Sequence, residues 1–319
     1  MSSGTPRALL PDRGRMLETG RLMGSEEMLR TRAWEVLHSP VDMGYRVVPG
    51  WGSLPEGWKL GQVAGVDTDS EDRVYLFHRG RKAPPLICFD SAGKVLSSWD
   101  HIDFQQPHMV TCDADDNVWL TDDGAHIIYK LSPHGETLST LGVRGDRGSG
   151  ELFDRPTDIA FNAQREMYVS DGYGANMRVA KFDPDGKFML EWGEAGEGPG
   201  QFVLPHALTV DDDGLVYVAD RNMWRVQVFD PDGALVTVWT HIGRPSDVTY
   251  VSPGRLFICD APNARVTEVT MAGEVVGFFG ELGRNPGQMA GNHAIAFLPN
   301  GDIINGQLDG RVQKFALSS

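Results

Sequence analysis

The 319-residue sequence predicts an all-β fold: a six-bladed β-propeller of four-stranded blades, its last blade closed by a strand from the N-terminal side of the chain. Three observations carry this reading. Glycine (38) and proline (19) punctuate the chain at short intervals, as they do where many short strands are joined by turns. One unit recurs six times, at a spacing of roughly 40 to 50 residues, the period of propeller blades. No unit carries the 3.6-residue apolar period that an α-solenoid would show.

The unit is plainest from Arg155 to Gly193. It runs Arg155-Pro156-Thr157-Asp158-Ile159-Ala160-Phe161, a turn, Met167-Tyr168-Val169-Ser170-Asp171, then Met177 to Phe182, and closes on Phe188-Met189-Leu190-Glu191-Trp192-Gly193. Leu204 to Trp239 repeats it, and further units begin near Gly61, Gln106, Pro245 and Gly291. In the Leu204 unit the strands read as Ala207–Val210, Val216–Ala219, Arg225–Phe229 and Leu235–Trp239. The turn Asp230-Pro231-Asp232-Gly233 leads into the fourth, because glycine accepts φ > 0 without a Cβ clash. The sixth unit stops after its third strand, Arg311–Leu317. Tyr45 to Gly52 ends in Trp51-Gly52, like Trp192-Gly193, and is the expected fourth strand, which removes two free sheet edges.

Residues 45–319 thus form the propeller, and 1–44 an N-terminal extension outside the repeat. Within the extension Ser25–His38 reads as a short helix, with Ser25 as N-cap and Glu26 and Glu27 in its first turn. It is a candidate for contact with the propeller or with a second subunit, so a homo-oligomer through residues 1–44 is one expectation.

Acidic residues outnumber basic ones, 44 to 29, for a formal charge of −15. That argues against a nucleic-acid binder or a partner of anionic membranes, both of which call for a basic face. The chain has no run of about 18 apolar residues, and its first residues lack the apolar core of a secretory signal. Cys88, Cys112 and Cys259 are too few and scattered for a disulfide framework or a thiolate cluster. The expectation is a cytoplasmic protein.

Aligning the six units at the start of their first strands gives one telling position: Ala64, His108, Thr157, His206, Ser246 and His293. Histidine and a small residue alternate. On the innermost strands of a six-bladed ring, alternate blades would point three imidazoles at the axis from three sides. Three neutral imidazoles are the protein half of a catalytic zinc site, with a position left for water or substrate. Imidazole also suits other divalent transition metals. A second position follows the repeat's aspartates Asp122, Asp171, Asp220 and Asp260, which read as turn-holding groups; it holds Arg79, Asp123, Gly172, Arg221, Ala261 and Gln307. If it faces the same channel, Arg79 and Arg221 are anion-binding groups, and Tyr173, one residue on, can reach the centre.

These residues carry a resemblance. The stretches LPEGWKLGQVAGVDTD, VYLFHRG, QPHMVTCDADDNVWLTD, RPTDIAF, YVSDGYGANMRVAKF, GPGQFVLPHALTV and VYVADRNMWRVQVF resemble the peptidyl-α-hydroxyglycine α-amidating lyase family, six-bladed propellers of NHL type. Together the matching stretches span nearly all of residues 45–317. The resemblance implies zinc ligands at His108, His206 and His293, a catalytic tyrosine at Tyr173 and active-site arginines at Arg79 and Arg221. It departs at Gly291-Asn292-His293-Ala294, where the family commonly has Met-Pro-His-Asp. The family's structural calcium therefore loses an aspartate ligand to Ala294, and the pocket wall loses a methionine to Gly291. The cysteine of secreted animal members is Gly174, consistent with a reducing compartment.

The implied reaction cleaves the carbinolamide R–CO–NH–CH(OH)–COO⁻ to an amide and glyoxylate. Zinc would act as the Lewis acid, a Tyr173 phenolate as base, and one arginine as the carboxylate clamp. The substrate is a peptide or a small molecule with a carboxylate. A metal-dependent hydrolase or lactonase on the same ring, and a non-enzymatic NHL-type binding module, are the competing expectations.

Overall fold

Four-residue to seven-residue strands separated by glycine turns cannot bury an apolar face alone, and in the computed structural model they stack radially. The structure describes residues 42–318, so the expected helix Ser25–His38 lies outside the described residues. Strands β1–β24, numbered in chain order, form six four-stranded antiparallel sheets. The innermost strands are β2 (Val63–Thr68), β6 (Pro107–Cys112), β10 (Pro156–Phe161), β14 (Pro205–Val210), β18 (Pro245–Val251) and β22 (Asn292–Phe297). Each contacts the innermost strands of both neighbouring blades, which closes the ring. Blades 1 to 6 are taken here in that order. Burial falls outward: the second strand β15 (Val216–Asp220) is wholly buried, whereas the outer strand β13 (Phe188–Trp192) alternates with solvent.

Ring closure follows the sequence expectation. Strand β1 (Tyr45–Val48) pairs antiparallel with β24 (Val312–Leu317), from Tyr45 opposite Leu317 to Val48 opposite Lys314. The strand is shorter than the Tyr45–Gly52 segment expected, because Pro49 lacks an amide hydrogen and Gly50 turns the chain at φ +76°. Trp51 then lies against blade 1: its indole nitrogen donates to the Ser91 carbonyl at 3.0 Å, and its ring lies 5.6 Å from Phe89. A Cβ on Gly93 would meet that indole at 3.0 Å. The same contact recurs between Trp192 and Gly233, so the turn glycines leave room for the tryptophan of the preceding blade.

The innermost strands are joined across every seam by side chains that alternate in kind. Between blades 1 and 2, 3 and 4, and 5 and 6 the link is a carboxylate. Asp67 Oδ2 accepts from the Cys112 amide (2.7 Å), Asp158 Oδ2 from Leu208 (3.0 Å) and Asp247 Oδ2 from Ile295 (2.9 Å). These carboxyls line a cavity of about 180 Å³ within the inner-strand ring. Burial pushes Asp67 up to about 7 and Asp247 up to about 6, and pushes Asp158 upward as well. The other three seams are joined by histidines.

Two outcomes are expected. Trp51→Ala costs about 3–5 kcal/mol by loss of a large buried ring, read by urea denaturation; an unchanged midpoint would show that Trp51 does not help hold the closure. Asp67 keeps its proton more firmly folded than unfolded, so its stabilisation is full below its ordinary value of 3.8 and is lost as pH rises through about 7. Asp67→Asn, permanently neutral, therefore loses least relative to wild type at pH 8 and most at pH 4, measured by denaturation at both.

Candidate metal centre and its mouth

The position that alternates histidine and a small residue falls at an irregularity of register in every blade. Pairing between the first and second strands shifts between Val63 and Gly65, Pro107 and Val110, Pro156 and Asp158, Pro205 and Ala207, Pro245 and Asp247, and Asn292 and Ala294. An extra residue in one strand re-aims its side chain, and here the re-aimed residues are the six at the sequence position singled out above. His108, His206 and His293 are all buried, and their ring centroids lie 4.8, 4.9 and 5.1 Å apart.

Each histidine bonds to the small residue of the next blade. His108 Nδ1 lies 2.5 Å from the Thr157 carbonyl, His206 Nδ1 2.7 Å from Ser246, and His293 Nδ1 2.7 Å from Ala64. A carbonyl only accepts, so each Nδ1 carries the hydrogen and each Nε2 presents a lone pair. Burial is the main cause holding all three below the ordinary imidazole value, His293 at about 3, helped by neighbouring histidine and arginine charge. One ligand atom from each lies within 4.8 Å of the others, so the three can hold a metal ion. The backbone carbonyls serve as the outer partners that orient metal-binding imidazoles.

Tyr173 reaches this centre. Its hydroxyl lies 2.8 Å from His206 Nε2 and 3.3 Å from His108 Nε2, and receives a hydrogen bond from Arg221 Nη1 at 3.1 Å. The loop that carries it runs tight against blade 4: a Cβ on Gly172 would stand 2.1 Å from the Pro205 carbonyl oxygen. Arg79 enters from blade 1, where its Nε donates to the Pro107 carbonyl at 2.7 Å. Thr157 and Ser246 make the corresponding bonds with their hydroxyls, to Pro205 and Asn292. Ala64 has no hydroxyl, and in blade 1 Arg79 takes that place. The structure thus brings all six residues named from sequence together.

It also revises the alignment in two blades. The Arg79, Asp123 and Arg221 amides donate to the carbonyls of Gln62, Gln106 and Leu204. In blade 3 the residue making that bond, to Arg155, is Tyr173 rather than Gly172, and in blade 6, to Gly291, it is Leu308 rather than Gln307. Four successive blades therefore present Arg79, Asp123, Tyr173 and Arg221 from one backbone position. The repeat's aspartates hold the incoming connections rather than the turns alone: Asp122 accepts from Gln105 and Gln106, Asp171 from Asp154, Asp220 from Val203 and Leu204 and Asp260 from Arg244.

Sequence reasoning missed several neighbours. The Arg155 guanidinium lies 5.2 Å from the Tyr173 ring centre and donates to Asp123 Oδ1 through Nε (3.0 Å) and Nη2 (2.6 Å). Arg244 stands at the equivalent place on blade 5 and donates to Asn222. Both precede the proline that starts a first strand, so the column two residues before the histidines would have found them. His78 accepts from the Gly61 and Gly80 amides and fixes the loop around Arg79; His126 accepts from the Arg155 amide. Burial raises the Asp123 carboxyl against the opposing pull of Arg155 and Arg79.

Fold and centre define the class, a six-bladed propeller with a three-histidine axial site, and comparison with known proteins places it. The NHL repeat family model matches residues 202–229. Human NHL repeat-containing protein 3 is 34% identical over 256 residues, covering 74% of this chain and 72% of that protein. Peptidyl-alpha-hydroxyglycine alpha-amidating lyase 1 of Drosophila melanogaster is 34% identical over 206 residues, 54% of this chain and 38% of that one. Among solved structures, a streptogramin B lyase superposes with a TM-score of 0.61 at 15% identity, covering 87% of this chain and all 100% of that one, a likeness of fold. The chain belongs to the NHL-repeat propeller family that includes NHL repeat-containing protein 3 and the peptidyl-α-hydroxyglycine α-amidating lyases. None of its described helices is long and apolar enough to cross a membrane.

His206→Ala removes one of three donors. After incubation with zinc and desalting, elemental mass spectrometry is expected to find about one metal per wild-type chain and at least tenfold less in the variant; equal content in both would refute the site.

Proposed function

We propose that this protein is a metal-dependent lyase that cleaves the C–N bond of a carbinolamide, R–CO–NH–CH(OH)–COO⁻, to an amide and glyoxylate. The observation that supports this most is the placing of the Tyr173 hydroxyl, 2.8 Å from His206 Nε2 and 3.1 Å from Arg221, beside three imidazoles with inward lone pairs. His108, His206 and His293 would hold the metal, zinc or another divalent transition ion, which supplies a Lewis acid when bound.

The remaining work falls to the chain's own groups. The reaction removes the substrate hydroxyl proton, makes the carbon–oxygen double bond, breaks the C–N bond and returns a proton to the departing nitrogen. Tyr173 is the group placed to take and return that proton, and Arg221 faces its oxygen with positive charge. Arg79 is anchored through Nε; its Nη1 lies 3.4 Å from Gln62 Oε1 and its Nη2 4.0 Å from Asp123 Oδ2, and these terminal nitrogens would turn to the substrate carboxylate, for which a planar guanidinium is the fitting shape. The protein-lined centre limits water, which would otherwise compete for the same groups. A peptidyl or a small acyl group R fits this scheme equally.

The test is release of glyoxylate from α-hydroxyhippurate by the zinc-loaded protein. Tyr173→Phe is expected to keep its metal and lose about 10²–10⁴-fold in turnover; unchanged turnover would sink the role given to Tyr173. Lactone hydrolysis without glyoxylate release would assign the centre to a hydrolase instead.

A further inference from the structure

Four successive blades present Arg79, Asp123, Tyr173 and Arg221 from one backbone position, and three of them have a part in the scheme above. Asp123 does not. Its side chain is 1% exposed, and its two oxygens differ. Oδ1 is held by Arg155 Nε and Nη2. Oδ2 is buried and accepts no hydrogen bond among the described residues; Arg79 Nη2 stands 4.0 Å away. On blade 4 Arg221 Nε is likewise buried without an acceptor. Buried polar atoms without partners are costly and rare, and here one acceptor and one donor of that kind come from the ring position that surrounds Tyr173.

An acceptor and donors in the same mouth describe a ligand with both a donor and an anionic acceptor. A carbinolamide has both, in its N–H and its carboxylate. The carboxylate suits the arginines, and the hydroxyl of the carbinol carbon falls to Tyr173. A carboxylate oxygen only accepts, so it selects a ligand atom that carries hydrogen. Arg155 holds Asp123 through Oδ1 and covers the Tyr173 ring, which fixes the carboxylate and leaves Oδ2 as the oxygen without a donor.

We propose that Asp123 Oδ2 accepts the N–H of the scissile amide, making the centre selective for carbinolamides whose nitrogen carries a hydrogen. This rests on the lyase reading for its substrate, but binding and turnover test the two separately. Hippurate has the carboxylate and the N–H but no hydroxyl, so it binds without reacting; N-methylhippurate lacks the N–H. Titration calorimetry on the zinc-loaded protein is expected to show hippurate binding about tenfold or more tighter than N-methylhippurate, the worth of a hydrogen bond to a charged group. In Asp123→Asn, of equal size, the preference falls to within about threefold. Arg155→Gln takes away the bonds that hold Oδ1, loosens the carboxylate and lowers the preference as well, and thermal melts check that both variants fold. Equal binding of the two ligands by wild type, no measurable binding of either, or a preference retained in Asp123→Asn overturns the assignment. A wild type that prefers hippurate yet releases no glyoxylate from α-hydroxyhippurate overturns the lyase reading and leaves Asp123 as the N–H acceptor. Glyoxylate release without preference does the reverse.

Discussion

The bond from each central histidine to the next blade's carbonyl is the interaction on which the rest of this molecule depends. It does two jobs with one hydrogen. It joins the innermost strands across three of six seams, at His108–Thr157, His206–Ser246 and His293–Ala64. It also fixes the tautomer, so that every Nε2 lone pair faces the axis. Remove the carbonyl and the ring is free to rotate or exchange its proton; remove the histidine and a buried carbonyl loses its partner. Scaffold and centre therefore rest on the same three atoms pairs, and a substitution at one is felt by both.

The alternation has a chemical logic beyond symmetry. Seams without histidine carry Asp67, Asp158 and Asp247, each accepting a backbone amide from the next blade. The histidine seams supply a donor to a carbonyl; the carboxylate seams supply an acceptor to an amide and, through Arg79, Thr157 and Ser246, a donor to a carbonyl as well. Ala64 departs from its two siblings Thr157 and Ser246. Its siblings spend a hydroxyl on the neighbouring carbonyl, whereas in blade 1 that carbonyl anchors Arg79.

Much of this was legible in the sequence because a repeat makes position meaningful. The strands Arg225–Phe229 and Leu235–Trp239 fall where their alternating pattern and the Pro-Asp-Gly turn put them. The histidines were legible because three of one kind at one repeat position imply a shared axis. Arg155 and Asp123 were not, since their meaning lies in a contact between neighbouring blades that no single unit displays. Tyr173 was found by its motif but misplaced by one residue in the repeat, because blade 3 passes Gly172 against Pro205 and hands the equivalent backbone bond to its successor. The aspartates that end the second strands were read as turn holders, and their hydrogen bonds reach further, to the connection from the preceding blade.

The pairing of β1 with β24 also bears on how the molecule comes to exist. Synthesis runs from one end, and domains begin to fold as they emerge. Blades 1 to 5 can form in order, but the sixth joins the first-made strand to the last-made one, so Tyr45–Val48 must wait, unpaired, while the whole ring is translated. His293 belongs to that late blade. A chain translated only through blade 5 carries two of the three imidazoles, and the third arrives with β22, the first strand of blade 6. A chain that stalls before blade 6 carries an open strand edge and an incomplete set of axial histidines.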